Sequence, residues 1–123
     1  MTYYGGYHWH LENIIKKNEV ILVEGEKSVM NLESHGIDNA VAIGTSHISK
    51  DQMRILMKLK TNIVLALDND KKTELDKNFL NLAKYNKCYA IIDDIGYLGA
   101  KDAPIDKGIE IFKELYDERK LIV

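Results

Sequence analysis

The sequence predicts an α/β fold, a roughly four-stranded parallel sheet flanked by helices and built as one domain. Three observations predict it. Short apolar runs rich in Val and Ile alternate with longer amphipathic stretches. The runs are apolar throughout rather than at every second position, as strands covered on both faces must be. The length, 123 residues, supplies one ordinary core rather than two.

Taken in order, residues 20–23, VILV, form the first strand, bounded by charged residues. Val29, Met30 and Leu32 predict a helix over about residues 26–34, and Gly36 is placed to close it in a left-handed conformation. Residues 40–43, AVAI, are the second strand. Ser49 and Gln52 have the S-x-x-Q spacing of a capping box. Met53, Leu56, Met57 and Leu59 mark the inner face of the helix it starts. Residues 62–67, NIVLAL, are the third strand, and Leu75, Phe79, Leu82 and Ala83 predict a helix over about 73–85. Residues 88–93, CYAIID, are the fourth strand. Ile105, Ile109, Phe112 and Tyr116 recur at steps of four, three and four, which predicts a last helix running to about residue 118. Residues 1–19 read as a helical or coiled leader from a preceding subdomain, and residues 20–123 as the domain itself.

Composition narrows the function classes. Hydrophobic residues at 46% and charged ones at 29% fit a globular domain rather than a disordered, collagenous or membrane chain. No apolar run approaches the ~20 residues that span a bilayer, and the amino terminus lacks a secretion signal, so no membrane role and a cytoplasmic location are expected. The lone cysteine, Cys88, has no partner for an internal disulfide or a Cys-based metal site and reads as a small buried side chain. A net charge of -2 is wrong for a protein that grips nucleic acid by itself, because phosphate neutralisation supplies most of that affinity. Any nucleic-acid role needs basic surface from elsewhere.

Right-handed crossovers bring the carboxyl ends of parallel strands to one edge of the sheet, where open α/β sheets bind their ligands. Glu24, Asp68 with Asp70, and Asp93 follow the first, third and fourth strands, so their carboxylates are expected on one rim. Asp68 and Asp70, two residues apart, leave the strand on the same side. Carboxylates so close repel one another, and a divalent cation between them relieves that repulsion. With no His or Cys nearby, an oxygen-only donor set favours Mg²⁺ or Mn²⁺. Gly25 follows Glu24 where a tight turn or close approach to a ligand is expected. Lys27, in the first turn of the next helix, stands where the helix dipole disfavours a cation, and is read either as a phosphate contact or as an exposed lysine.

VILVEGEKSVMNLESHGIDNAVAIGTSHISKDQ, followed by NIVLALDND, resembles the TOPRIM domain of bacterial and phage DNA primases. LGAKDAPIDKG is similar to the Lys-Asp-Pro segment after the fourth strand in those primases, and the leader YYGGYHWHLENI is similar to the stretch that joins TOPRIM to the subdomain before it. The resemblance implies a Rossmann-like TOPRIM fold. It also implies that the chain is the nucleotidyl-transfer domain of a larger primase making primer RNA. Glu24, Asp68 and Asp70 are then the catalytic residues, and the same three with Asp102 hold two divalent ions that steady the charge on the transferred phosphate. Lys27, Lys50, Arg54 and Lys71 are the candidates for nucleotide and nucleic-acid contact. The implied partners of the full-length protein are a single-stranded DNA template, nucleoside triphosphates and a replicative helicase. Two departures stand out. Ser28 occupies a position where many primases have an aspartate, and Asp102-Ala103-Pro104 replaces Asp-Pro-Asp. Asp93, Asp94 and Asp106 are the residues available to supply the missing acids.

Lys50, Arg54 and Lys58 recur every four residues, which describes either a solvated helix face or a track for a template backbone. His8, Trp9 and His10 read as packing residues, and neither His35 nor His47 has a catalytic spacing. The alternative within the fold is a nuclease or topoisomerase-like domain that cleaves phosphodiesters with the same acids. A receiver domain would carry its acid pair after the first strand, and a D-x-D phosphatase wants Thr or Val where Lys72 stands.

Overall fold

The computed structural model describes residues 2–4, 7–45, 47–69 and 77–122. A short hairpin, β1 (Thr2–Tyr4) paired antiparallel with β2 (Tyr7–Trp9), opens the chain and leads into α1 (Leu11–Lys17). The elements β3 (Glu19–Val23), α2 (Glu26–Ser34), β4 (Ala40–Ala42), α3 (Lys50–Leu59), β5 (Asn62–Leu65), α4 (Lys77–Leu82) and β6 (Cys88–Ala90) then alternate. The chain closes with α5 (Ile109–Asp117) and β7 (Lys120–Ile122). The main sheet has the order β4-β3-β5-β6-β7, its first four strands parallel and β7 antiparallel to β6.

The period of two along β3 sorts its side chains between two cores. Val20 and Leu22 join Trp9, Ile14, Ile55, Leu56, Phe79 and Leu82 on one face, beneath α1, α3 and α4. Ile21 and Val23 join Val29, Leu32 and Phe112 on the other, beneath α2 and α5. Because α2 and α3 cover opposite faces, the chain steps from β3 outward to β4 and then back across β3 to β5. The strand order therefore reverses between β3 and β5, and a crevice opens there at the carboxyl edge.

Local chemistry sets the helix boundaries. Ser49 Oγ accepts the Gln52 N–H at 3.1 Å and Gln52 Oε1 accepts the Ser49 N–H at 2.9 Å, which completes the expected capping box. Gln52 Nε2 also donates to the Ile43 carbonyl at 3.1 Å and ties α3 to the end of β4. Gly36, at φ +82°, ends α2 in a double-bonded reversal, with Gly36 N–H to Glu33 O at 2.9 Å and Ile37 N–H to Leu32 O at 3.0 Å.

Several boundaries differ from expectation. Helix α5 begins at Ile109 rather than near Ile105, because Gly108 at φ +105° breaks the helix and Ile105 is buried from a turn. Strand β6 stops at Ala90, three residues short of Asp93. β7 and the leader hairpin were not expected, since three-residue strands carry too few positions to show a period. The predicted start of the helix before β6, from residue 73, lies outside the described residues. In the leader, Trp9 and Ile14 are fully buried, as a packing role requires. Among the described residues no helix is long and apolar enough to cross a membrane.

Candidate functional site

The crevice between β3 and β5 is where the sequence concentrates its acids. Past the last paired residues the backbone ladder continues, with Ala66 N–H to Leu22 O and Gly44 N–H to Glu24 O each at 2.8 Å. Glu24 is thereby held beside β4 by its carbonyl and beside β5 by its side chain, whose Oε2 accepts the Asp68 N–H at 2.8 Å. Val64 and Ala66 face the α2 and α5 side of the sheet, and the alternation carries Asp68 toward that same side. Ala103 and Ile105 are buried there, so the 98–106 segment brings Asp102 and Asp106 to the same rim.

Burial, and then the charges of Glu24, Asp106 and Asp102, push the half-buried Asp68 carboxyl above the ordinary aspartate value. All three of these neighbouring charges are negative. Lys107 Nζ lies 3.5 Å from Asp102 Oδ2. Among the described residues, no three His, Cys, Asp or Glu side chains stand close enough to hold an ion by themselves. Asp70 and Lys71 lie outside the described residues.

Asp106 makes a reciprocal pair with Ala103, accepting its N–H at 2.9 Å through Oδ2 and donating its own N–H to the Ala103 carbonyl at 2.9 Å. It sits two residues beyond Pro104, and its charge is one of those that raise the Asp68 carboxyl. Asp93 does not join the rim as expected. Its strand ends early, and its carboxylate instead accepts the N–H groups of Gly96 and Tyr97 at 3.0 Å and of Leu98 at 2.8 Å. Burial of Asp93 opposes ionisation, but the Leu98, Tyr97 and Gly96 bonds outweigh it and hold the carboxyl below the usual aspartate value. Asp94 is exposed and lies 3.7 Å from Lys120, away from the crevice.

The remaining candidates spread outward. Lys27 is exposed in the first turn of α2, and Ser28 beside it is buried. Lys50 is exposed at the first turn of α3, whose amino end follows β4 onto the rim edge. Arg54 lies one turn further along α3 and is paired with Asp51 at 3.3 Å. Gly25 lies in the expected tight turn, two residues that carry β3 into α2, but its backbone is ordinarily extended, φ -118°, and a Cβ built there would meet nothing within 4 Å, so the turn does not itself require glycine. At Gly99, by contrast, a Cβ would lie 2.9 Å from Asp102 Oδ2, which accepts the Gly99 N–H at 2.6 Å, so a side chain there would displace that carboxylate. Sequence reasoning also passed over Asn69, whose bonds to the 98–102 loop have no signature in spacing.

Residues 18–75, which hold the whole β3 to β5 crevice, match the model of the Toprim domain. This chain carries a Toprim domain. Asp102 and Asp106 lie beyond the matched segment and reach the Toprim crevice only through the fold. The chain is 31% identical over 110 residues to the DNA primase of Helicobacter pylori strain J99, an alignment covering 88% of this chain and 20% of that protein. It therefore spans about a fifth of that relative. Among solved structures, that of the Aquifex aeolicus primase zinc-binding and RNA polymerase domains superimposes on 92% of this chain and 28% of that one, at 25% identity and a TM-score of 0.68. The RNA polymerase domain of Mycobacterium tuberculosis primase, solved with a double-stranded DNA oligomer bearing a 6-nucleotide overhang, shares the fold at 18% identity and a TM-score of 0.61, over 91% of this chain and 38% of that one.

Proposed function

We propose that this Toprim domain is the metal-dependent nucleotidyl-transfer domain of a DNA primase, joining ribonucleotides on a single-stranded DNA template within a longer protein. One observation carries the reading: the Glu24 carboxylate bonds the Asp68 amide at 2.8 Å at the strand-order reversal, with Asp102 and Asp106 charges bearing on the same aspartate.

The chemistry of the donor set fits a hard divalent ion. The donors are carboxylate oxygens, their mutual repulsion is expressed at Asp68, and Mg²⁺ characteristically takes few protein carboxylates while keeping water and substrate phosphate ligands. Glu24, Asp68, Asp70 and Asp102 are the residues that would hold Mg²⁺ or Mn²⁺. When bound, such an ion supplies positive charge against the charge that develops on a transferred phosphoryl group. The chain's own contribution is orientation: Glu24 is fixed at both ends, and Asp102 is held by Gly99 and Lys107. Lys27 and Lys50, on the helices that start at this edge, are placed to meet nucleotide phosphates, with Lys71 following the acids. Arg54, one turn farther along α3, extends the same face toward the template. The longer protein supplies the basic surface that grips DNA, takes a replicative helicase as a partner and works in the cytoplasm.

The test is primer synthesis by the longer protein that contains this chain. Asp68→Ala and Asp70→Ala are each expected to abolish primer yield with the circular dichroism spectrum unchanged, and near-wild-type yield from either refutes the reading. The 123 residues alone are expected to bind Mg²⁺ or Mn²⁺ weakly and to make no primer.

A further inference from the structure

The residue between the two aspartates of the D-N-D run joins two parts of the site. Asn69 donates its backbone N–H to the Asp102 carbonyl at 2.6 Å. Its side-chain Nδ2 donates to the Gly99 carbonyl at 3.1 Å and, more weakly, to the Leu98 carbonyl at 3.4 Å. These bonds run from the end of β5 to a loop some thirty residues later in the chain.

That loop is already organised by its own hydrogen bonds. Asp93 gathers the amides of Gly96, Tyr97 and Leu98 at one end. At the other, Asp102 Oδ2 accepts the Gly99 N–H at 2.6 Å, and Asp106 closes the turn on Ala103. The loop is a unit, and beside the burial of Ala103 and Ile105 it is bonded to the β5 end of the crevice through Asn69.

We propose that Asn69 is a positioning residue: its side-chain amide fixes the 98–102 loop to β5 and so holds the Asp102 carboxylate on the rim with Glu24 and Asp68. The chemistry explains why an amide is suited to the place. Two successive carbonyls need two donors on one nitrogen, which the Asn NH₂ provides. An aspartate there would turn a carboxylate toward both carbonyls, and an alanine would leave them without this partner. The bond from the Asn69 backbone alone would then tether the loop at the Asp102 carbonyl, three to four residues from the freed carbonyls.

The inference rests on the metal-binding reading above, and the experiment separates the two. Purified 123-residue protein, wild type and Asn69→Ala, is titrated with Mn²⁺ while free Mn²⁺ is followed by electron paramagnetic resonance. Amide hydrogen exchange is measured on the metal-free proteins by NMR, and thermal melting checks that both are folded. In Asn69→Ala, exchange at the Asn69 and Gly99 amides is expected to rise about tenfold. Mn²⁺ binding is expected to weaken about 10- to 100-fold, the usual consequence of losing a group that orients a ligand. Asn69→Asp keeps the side-chain size and serves the exchange measurement should the alanine variant unfold.

Unchanged exchange at those amides overturns the attachment. Unchanged Mn²⁺ affinity with faster exchange overturns the positioning role, because a purely structural bond would loosen the loop without moving the metal. If wild type itself takes up no Mn²⁺, the metal-binding reading falls, and the exchange result alone decides whether Asn69 fixes the loop.

Discussion

Asp68→Asn should reverse its effect on stability according to whether metal is present. The substitution keeps side-chain size and leaves the backbone N–H that Glu24 accepts, while removing one charge from a rim where Glu24, Asp106 and Asp102 all repel it. The folded-state pKa of Asp68 lies above its unfolded value. Its contribution therefore favours folding below the unfolded pKa of about 3.9, declines as pH rises through the folded value, and at pH 7 is a net cost. Because the carboxyl is only half-buried, solvent screening limits that cost to about 0.5 kcal/mol. A domain of 123 residues that unfolds with about 2.1 cal/mol/K per residue shifts its melting temperature by about 4 °C per kcal/mol, so the metal-free variant should melt about 2 °C higher. With Mn²⁺ at 100 times the wild-type dissociation constant, wild type gains about 2.7 kcal/mol, roughly 10 °C. A variant binding about 100-fold more weakly gains only about 0.4 kcal/mol at that concentration. Calorimetric melts at pH 7, with chelator and then with Mn²⁺, read both halves. A variant that melts lower than wild type without metal, or shifts as far with it, refutes the reasoning.

Other outcomes follow from single features. Tyr116→Phe removes the hydroxyl that donates to Glu19 at 2.6 Å and is expected to cost about 1.5 kcal/mol, lowering the melting temperature by about 6 °C. Burial and Glu19 raise the Tyr116 pKa, so this contribution is fully present below the unfolded value of about 10 and is lost only as pH rises through the folded one; melts at pH 7 and pH 9 should show the same difference. Gly36→Ala places a Cβ on a residue at φ +82° and is expected to destabilise by about 1 kcal/mol, measured by urea unfolding. Burial lifts the Cys88 thiol to about 11, so a thiol reagent at pH 8 should label native protein far more slowly than protein unfolded in guanidinium.

Much of the fold could be read in advance because parallel strands covered on both faces leave uninterrupted apolar runs. VILV, AVAI and NIVLAL sit where β3, β4 and β5 form, and the Ser49–Gln52 spacing foretold a cap that depends on neighbours three residues apart. Ile105 misled the reading because burial from a turn and burial from a helix look alike at a spacing of four. Asp93 misled it for a related reason: an acid after a strand has the same appearance whether it faces a crevice or caps its own loop, and only the three amides of residues 96–98 decide.

Two acids of the site, Glu24 and Asp68, were determined by sequence alone, since each directly follows an apolar strand and parallel topology sends strand ends to one edge. What only the tertiary structure decided is how Asp102 and Asp106 reach them. Their position depends on a loop whose bonds run to Asn69 across some thirty residues of chain, and local periodicity holds no record of contacts at that separation. The same holds for the strand-order reversal between β3 and β5. It arises because α2 and α3 pack on opposite faces, a choice made by the burial of both cores together and not by either helix's own pattern.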